Sequence, residues 1–153
     1  MEQGTPAVES PGATPVEAVL DLELLAELSG IGGEAFIARV VRDFIREVER
    51  SIADLRATFE VADFGGFRMH AHEVCSGAAN LGAKALHELC SPWQNMSDAE
   101  LVHAGSSLVQ SLDAEWPRTR AALLERAARS SSAAPDPGTE GTHGPVRRVT
   151  TPL

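Results

Sequence analysis

Apolar residues recur at spacings of three and four along most of the chain, the period of helices that bury one face. Asp21 caps a short helix, Leu22 to Ser29, that Gly30 stops. Gly32-Gly33 then opens a long helix, about Glu34 to Glu60, with Phe36, Val40, Phe44, Val48, Ile52, Leu55 and Phe59 on one stripe. Arg42, Arg46, Glu49 and Arg50 fill its other side, and at ~1.5 Å per residue it is roughly 40 Å long. Asp63 caps a third helix that runs to about Asn80, and Leu81-Gly82 marks a tight turn. Leu86, Leu89, Cys90 and Trp93 are the apolar positions of a fourth helix, which Pro92 ends or bends near Ser91. Ser97 and Glu100 form a capping box for a fifth helix. Its stripe is Leu101, Leu108, Leu112, Trp116 and Leu123, with a kink at Pro117. The short connections predict an all-α fold, an antiparallel four-helix bundle with a short additional N-terminal helix. No stretch alternates like a strand, and no internal repeat appears.

The ends read differently. Residues 1–18 and 129–153 are rich in Pro, Gly, Ser, Thr and Ala without periodicity, so they are expected as flexible tails around a bundle at 19–128. Arg147 and Arg148 make a small basic spot in the second tail, expected to be solvated. A hydrophobic share of 43% suits a globular core, but aromatics are only 5% and Tyr is absent, so Leu, Val, Ala and a few Phe carry the packing. A net charge of −9 leaves no basic surplus to displace phosphate counterions, which argues against nucleic-acid binding. The same charge favours partners that are basic or bring a metal ion. Cys75 and Cys90 do not make a disulfide framework. No signal-peptide pattern and no apolar run near the ~20 residues of a membrane span are present. The expectation is a cytoplasmic monomer with no direct membrane insertion.

The stretch "MHAHEVCSGAANLGA", Met69 to Ala83, sets two histidines two residues apart ahead of very small side chains. At about 100° per residue, Phe67, Ala71, Val74 and Ala78 form the core face of the third helix. His70 falls about 80° from its centre, at the seam, and His72 about 120° away, toward water. The helical neighbours of His72 are Arg68, Cys75, Ser76 and Ala79, all small except Arg68. An exposed imidazole ringed by small residues lets another protein approach closely, and a neutral ring nitrogen is a competent nucleophile. With no lysine, carboxylate or serine triad expected on its own helical flank, His72 reads as a carrier that reacts when a partner supplies the remaining chemistry. Spacing alone leaves open that His72 is an ordinary surface residue and His70 a packed one with a single hydrogen bond.

These residues resemble the histidine phosphotransfer (HPt) domain of multistep phosphorelays. That family's motif is an alanine-histidine pair, a run of small residues, then an apolar residue and glycine nine and ten positions after the histidine; Ala71-His72 begins it here and Leu81-Gly82 completes it. Ala83, the stretch "LHELC" (Leu86 to Cys90), "VLDLELLAEL" before the long helix, and Phe36 through Leu55 within it are similar to the family as well. The resemblance covers roughly Val19 to Arg126 and selects His72 over His70. It implies a phosphorelay protein in which His72 takes a phosphoryl group from a receiver-domain aspartate and passes it to another response regulator. The implied partners are response-regulator receiver domains and a hybrid sensor histidine kinase. The implied Mg²⁺ belongs to the receiver, no cofactor is bound by this chain, and no kinase activity is its own. It further implies an apolar docking rim, for which Leu22, Leu25 and Ala26 are candidates that suit the core equally well.

The sequence departs from the family pattern at two places. Lysine usually follows the histidine by three residues and glycine by four; here Cys75 and Ser76 stand there. Arg68 is expected to substitute in part for that cation, and Lys84 to reach the site from beyond the turn, while Ser76 stays small and can donate a hydrogen bond. The departures leave open a phosphate-inactive adaptor that only occupies receivers. The sharpest rival from another class is a Cys/His metal site, since His72-x-x-Cys75 and His87-x-x-Cys90 are matched pairs. Folding the third and fourth helices back about Leu81 would bring Cys75 near His87 and His72 near Cys90. A metal hydrolase built on His70-x-His72 is disfavoured, because such pairs usually alternate along a strand.

Overall fold

A computed structural model describes residues 15–132. It contains helices α1 (Val16–Val19), α2 (Leu22–Gly32), α3 (Glu34–Glu60), α4 (Phe64–Leu81) and α5 (Lys84–Cys90). A 3₁₀ helix (Ser91–Asn95), α6 (Asp98–Ala104) and α7 (Ser107–Ser132) follow. There is no strand among the described residues.

Capping chemistry sets most boundaries where the sequence predicts them. The Asp21 carboxylate accepts from the Leu24 amide and that of Asp63 from the Gly66 amide, each relieving an orphan donor of a first turn. Ser97 and Glu100 complete the expected box at α6, and the hydrogen bonds from Ser97 hold the Glu100 carboxyl below its ordinary value.

Four boundaries differ from expectation. The helix expected to stop at Gly30 continues to Gly32 and ends at Gly33, whose φ of 80° closes it. The predicted fifth helix is two: Gly105, at φ 57°, a backbone conformation that glycine adopts without strain, separates α6 from α7. α7 then runs unbroken through Pro117. It also continues to Ser132, past the expected end of the bundle at 128, and Ser130 there is buried and bonded to Arg126. At the other end Val16–Val19 are helical although residues up to 18 read as tail; Val19 and Leu20 reach the core and hold that turn down. The remainder of both expected tails, Arg147 and Arg148 included, lies outside the described residues.

The bundle is formed by α3, α4, the α5–3₁₀ segment and α7. α3 packs against α4 on one side and α7 on the other, and α4 packs against α5 and the 3₁₀ helix. Ion pairs Arg126–Glu34, Arg120–Glu49 and Arg56–Asp113 show α3 and α7 running antiparallel, since position rises along one as it falls along the other. At the first of these, hydrogen bonds from Arg126, Ser130 and Ser29 lower the Glu34 carboxyl to about 2, joining the ends of α2, α3 and α7. The core is aliphatic and threaded with a few aromatics: Leu25, Ile37, Val41, Leu55, Phe67, Leu86, Leu112 and Leu123 are fully buried. On α3 the deepest N-terminal positions are Ile37 and Val41, while Phe36 and Val40 are only half-buried, because α2 and α7 cover the helix from two sides and turn its centre.

Candidate functional site

The core face of α4 is the one its spacing predicts: Phe67, Ala71, Val74 and Ala78 are all buried. That orientation leaves His72 exposed and His70 half-buried. The environment of His72 depends on a second element. Trp93 is buried, with its ring 6.0 Å from that of Phe67, which in turn lies 5.6 Å from Phe59. This aromatic chain fastens the 3₁₀ helix to α4. Pro92 sits in its first turn, where a missing backbone N–H costs nothing. The result places Gln94, which follows Trp93, beside the histidine, with Oε1 2.6 Å from His72 Nδ1.

This contact decides the chemistry of the ring. The amide nitrogen of Gln94 donates to the Ser91 carbonyl at 3.3 Å, so its oxygen is the atom facing His72. An amide oxygen only accepts. His72 Nδ1 therefore carries the proton, and the lone pair of the neutral ring is on Nε2. Nε2 points toward Ser76, whose Oγ is 3.4 Å away. The arrangement presents one nucleophilic nitrogen to solvent on a rigid helix, with its tautomer set by a neutral partner. Gln94 escapes the sequence reading: it is distant in the chain, and no periodic or motif signal links it to His72.

His70 is engaged elsewhere. Its Nδ1 lies 2.9 Å from Glu73 Oε2, and Ser51 of α3 donates to the same oxygen at 3.3 Å. It is a seam histidine held by a carboxylate.

The other expected site residues divide. Ser76 and the exposed Ala79 lie along the same flank as His72. Cys75 does not join them: it is buried, its Sγ 3.2 Å from His87 Nδ1. Three residues on from His72 along α4, it faces α5 rather than water. Arg68 is not available as a substitute cation, because its guanidinium donates to the Met96 carbonyl at 3.1 Å and to the Asp98 carboxylate at 2.7 Å. Gly82 serves through its backbone. It makes the α4–α5 turn in the left-handed region, at φ 75°, and its carbonyl accepts from the Asp21 amide at 2.7 Å. A Cβ there would lie 3.2 Å from the Asp21 carbonyl oxygen, so both dihedral and contact call for glycine. Lys84 is exposed and lines an open groove of about 220 Å³ with Asp21, Leu24, Ala78, Ala79, Gly82 and His87. Of the proposed rim, Leu22 and Ala26 are exposed on α2, but Leu25 is wholly buried, because it lies on the inward stripe of that helix.

The metal alternative does not assemble. Cys75 and His87 meet as the folded-back hairpin predicts, but His72 turns to Gln94 instead of Cys90. Burial, with Cys75 nearby, pushes the Cys90 thiol up to about 12, so it stays protonated. Among the described residues no group of three or more His, Cys, Asp or Glu side chains is placed to hold an ion. Nor is any described helix long and apolar enough to cross a membrane.

A family model described as the Hpt domain matches residues 39–126. The sensory/regulatory protein RpfC of Xanthomonas campestris pv. campestris is 28% identical over 142 residues, in strains ATCC 33913 and 8004 alike. The match covers 90% of this chain but only 17% of those relatives. Among solved structures, histidine-containing phosphotransfer protein B (HptB) from Pseudomonas aeruginosa PAO1 superposes with a TM-score of 0.67 at 20% identity, over 76% of this chain and 98% of that one.

Proposed function

Since the chain belongs to the Hpt domain family, we propose that it is a phosphorelay carrier whose acceptor is Nε2 of His72, with Gln94 as the group that readies it. The 2.6 Å contact between Gln94 Oε1 and His72 Nδ1 carries this reading, because it leaves the lone pair on the exposed nitrogen.

A receiver domain carrying a phosphoaspartate docks over the exposed flank of α4. His72 Nε2 forms a bond to phosphorus as the bond from phosphorus to the aspartate oxygen breaks, and the carboxylate leaves with its electron pair. The ring becomes cationic during this step; its Nδ1–H keeps donating to Gln94, whose carbonyl dipole stabilises the growing charge. Charge neutralisation by Mg²⁺ belongs to the receiver. The reverse step hands the group to a second receiver aspartate. Small residues at Ser76 and Ala79 keep the approach open, and Leu22 and Ala26 on α2 offer apolar contact beside it. Leu25 plays no part in docking. The chain itself lacks kinase activity, functions in the cytoplasm as a monomer, and receives its phosphoryl group through a hybrid sensor kinase.

The test is incubation with a phosphorylated receiver, followed by acid treatment of the labelled protein. Label that is lost in acid, absent in His72→Gln and retained in His70→Gln supports the assignment. Label that survives in His72→Gln and disappears in His70→Gln overturns it. Receiver binding without any transfer by the unaltered chain replaces the carrier with an adaptor.

A further inference from the structure

The assignment of His72 as acceptor raises a question of charge: what holds the phosphoryl oxygens once they arrive? Gln94 takes the Nδ1 edge, so a group on Nε2 extends along α4 toward Ser76. On that flank Cys75 offers no cation, being a buried thiol, and Arg68 is occupied by Met96 and Asp98. The side chain that covers Cys75 is His87 of α5, its Nδ1 3.2 Å from both the Cys75 carbonyl oxygen and Sγ. That contact fixes the ring and leaves Nε2 as its free edge. Lys84 precedes His87 by three residues, so both project from one face of α5. The two line the same groove of about 220 Å³, whose α4 side is Ala78 and Ala79. The acidic group there, Asp21, is turned to the Leu24 amide as a cap. Among the described residues Lys84 makes no ion pair.

We propose that His87, backed by Lys84, is the anion-binding wall that holds the phosphoryl oxygens of phosphorylated His72. The ligand is a phosphoryl dianion attached through nitrogen. The imidazolium N–H of His87 donates to one oxygen, and the Lys84 ammonium lowers the potential of the whole group from farther off. The device rests on the carrier reading but differs from it in residues and in helix.

Potassium phosphoramidate tests it without a receiver. His72 Nε2 forms the new bond to phosphorus, the bond from phosphorus to the donor nitrogen breaks, and ammonia leaves with its electron pair. Labelling of the full chain is followed by intact mass and ³¹P NMR at about pH 6.5, where an ordinary imidazole exists in both charged and neutral forms. His87→Gln keeps an amide donor for the Cys75 carbonyl but loses the charge. Its phospho-His72 is expected to form about five-fold more slowly, and Lys84→Gln about two-fold more slowly, as suits partly screened charges. Salt should slow the unaltered chain and leave a variant carrying both His87→Gln and Lys84→Gln nearly unaffected. His87→Lys should restore most of the rate, which a purely packing role would not allow. Should His87→Gln prove unfolded by circular dichroism, the Lys84→Gln rate and its salt response decide the matter alone. Normal rates and normal salt response in all variants overturn the wall and leave the acceptor standing. An unaltered chain that never labels at His72 overturns both.

Discussion

His70 and His72 sit two residues apart on α4 and meet opposite fates. His70, at the seam, is paired with Glu73 under the Ser51 hydroxyl of α3. His72, on the outer face, is met by the amide of Gln94 from the 3₁₀ helix. The Glu73 carboxylate takes up the Nδ1 edge of His70 and holds that ring in the half-buried seam. A neutral amide oxygen selects one tautomer and leaves the other nitrogen nucleophilic. Two residues of helical rotation thus separate a histidine tied into the seam from one presented to solvent, and the separation is completed by which neighbour each rotation encounters.

Four substitutions test that contrast. The largest effect is expected from Trp93→Ala, which empties the socket holding the 3₁₀ helix to Phe67. Loss of a buried aromatic costs about 3–5 kcal/mol. Denaturant unfolding should show that loss, and phosphotransfer should fall with the displaced Gln94 while the His70 resonances stay in place. Gly82→Ala comes next, at about 1–3 kcal/mol, from a strained dihedral and crowding of Asp21. Its melting point should drop, and imidazole spectra should change at His72 more than at His70, because the turn carries α5 and the 3₁₀ helix but not α3. Gln94→Ala is expected to leave stability nearly unchanged. It should slow phosphoryl acceptance about ten-fold, roughly the value of one hydrogen bond to a developing charge. Imidazole ¹⁵N spectra should then show His72 Nδ1 losing its fixed proton; an unchanged rate together with unchanged spectra would remove Gln94 from the mechanism. The smallest effect belongs to Glu73→Gln, whose half-exposed pair is worth about 0.5 kcal/mol at most. Transfer should stay within about two-fold, and a large loss would mean that His70 and Glu73 serve the reaction after all.

Much of this architecture is written in local chemistry. The Asp21, Asp63 and Ser97 caps and the core face of α4 follow from short-range hydrogen bonding and a 3.6-residue period, both visible in neighbouring letters. The break at Gly105 was not visible in the same way. A lone glycine within an amphipathic pattern is tolerated in many helices, and only its positive φ in the folded chain shows that this one ends α6. Leu25 posed a similar ambiguity, since rim and core both ask for leucine and only the position of the neighbouring helices distinguishes them.

The helical character of the chain, the core face of α4 and the outward direction of His72 follow from rotation along a single helix, so neighbouring letters suffice for them. Tertiary structure alone decided what His72 and Cys75 touch. Gln94, His87 and the competitors that claim Arg68 arrive from other helices, and their approach is set by the Trp93–Phe67 stack and the Gly82 turn. Hydrogen bonds between residues far apart in the chain have no period, so their identity appears only when the helices have packed.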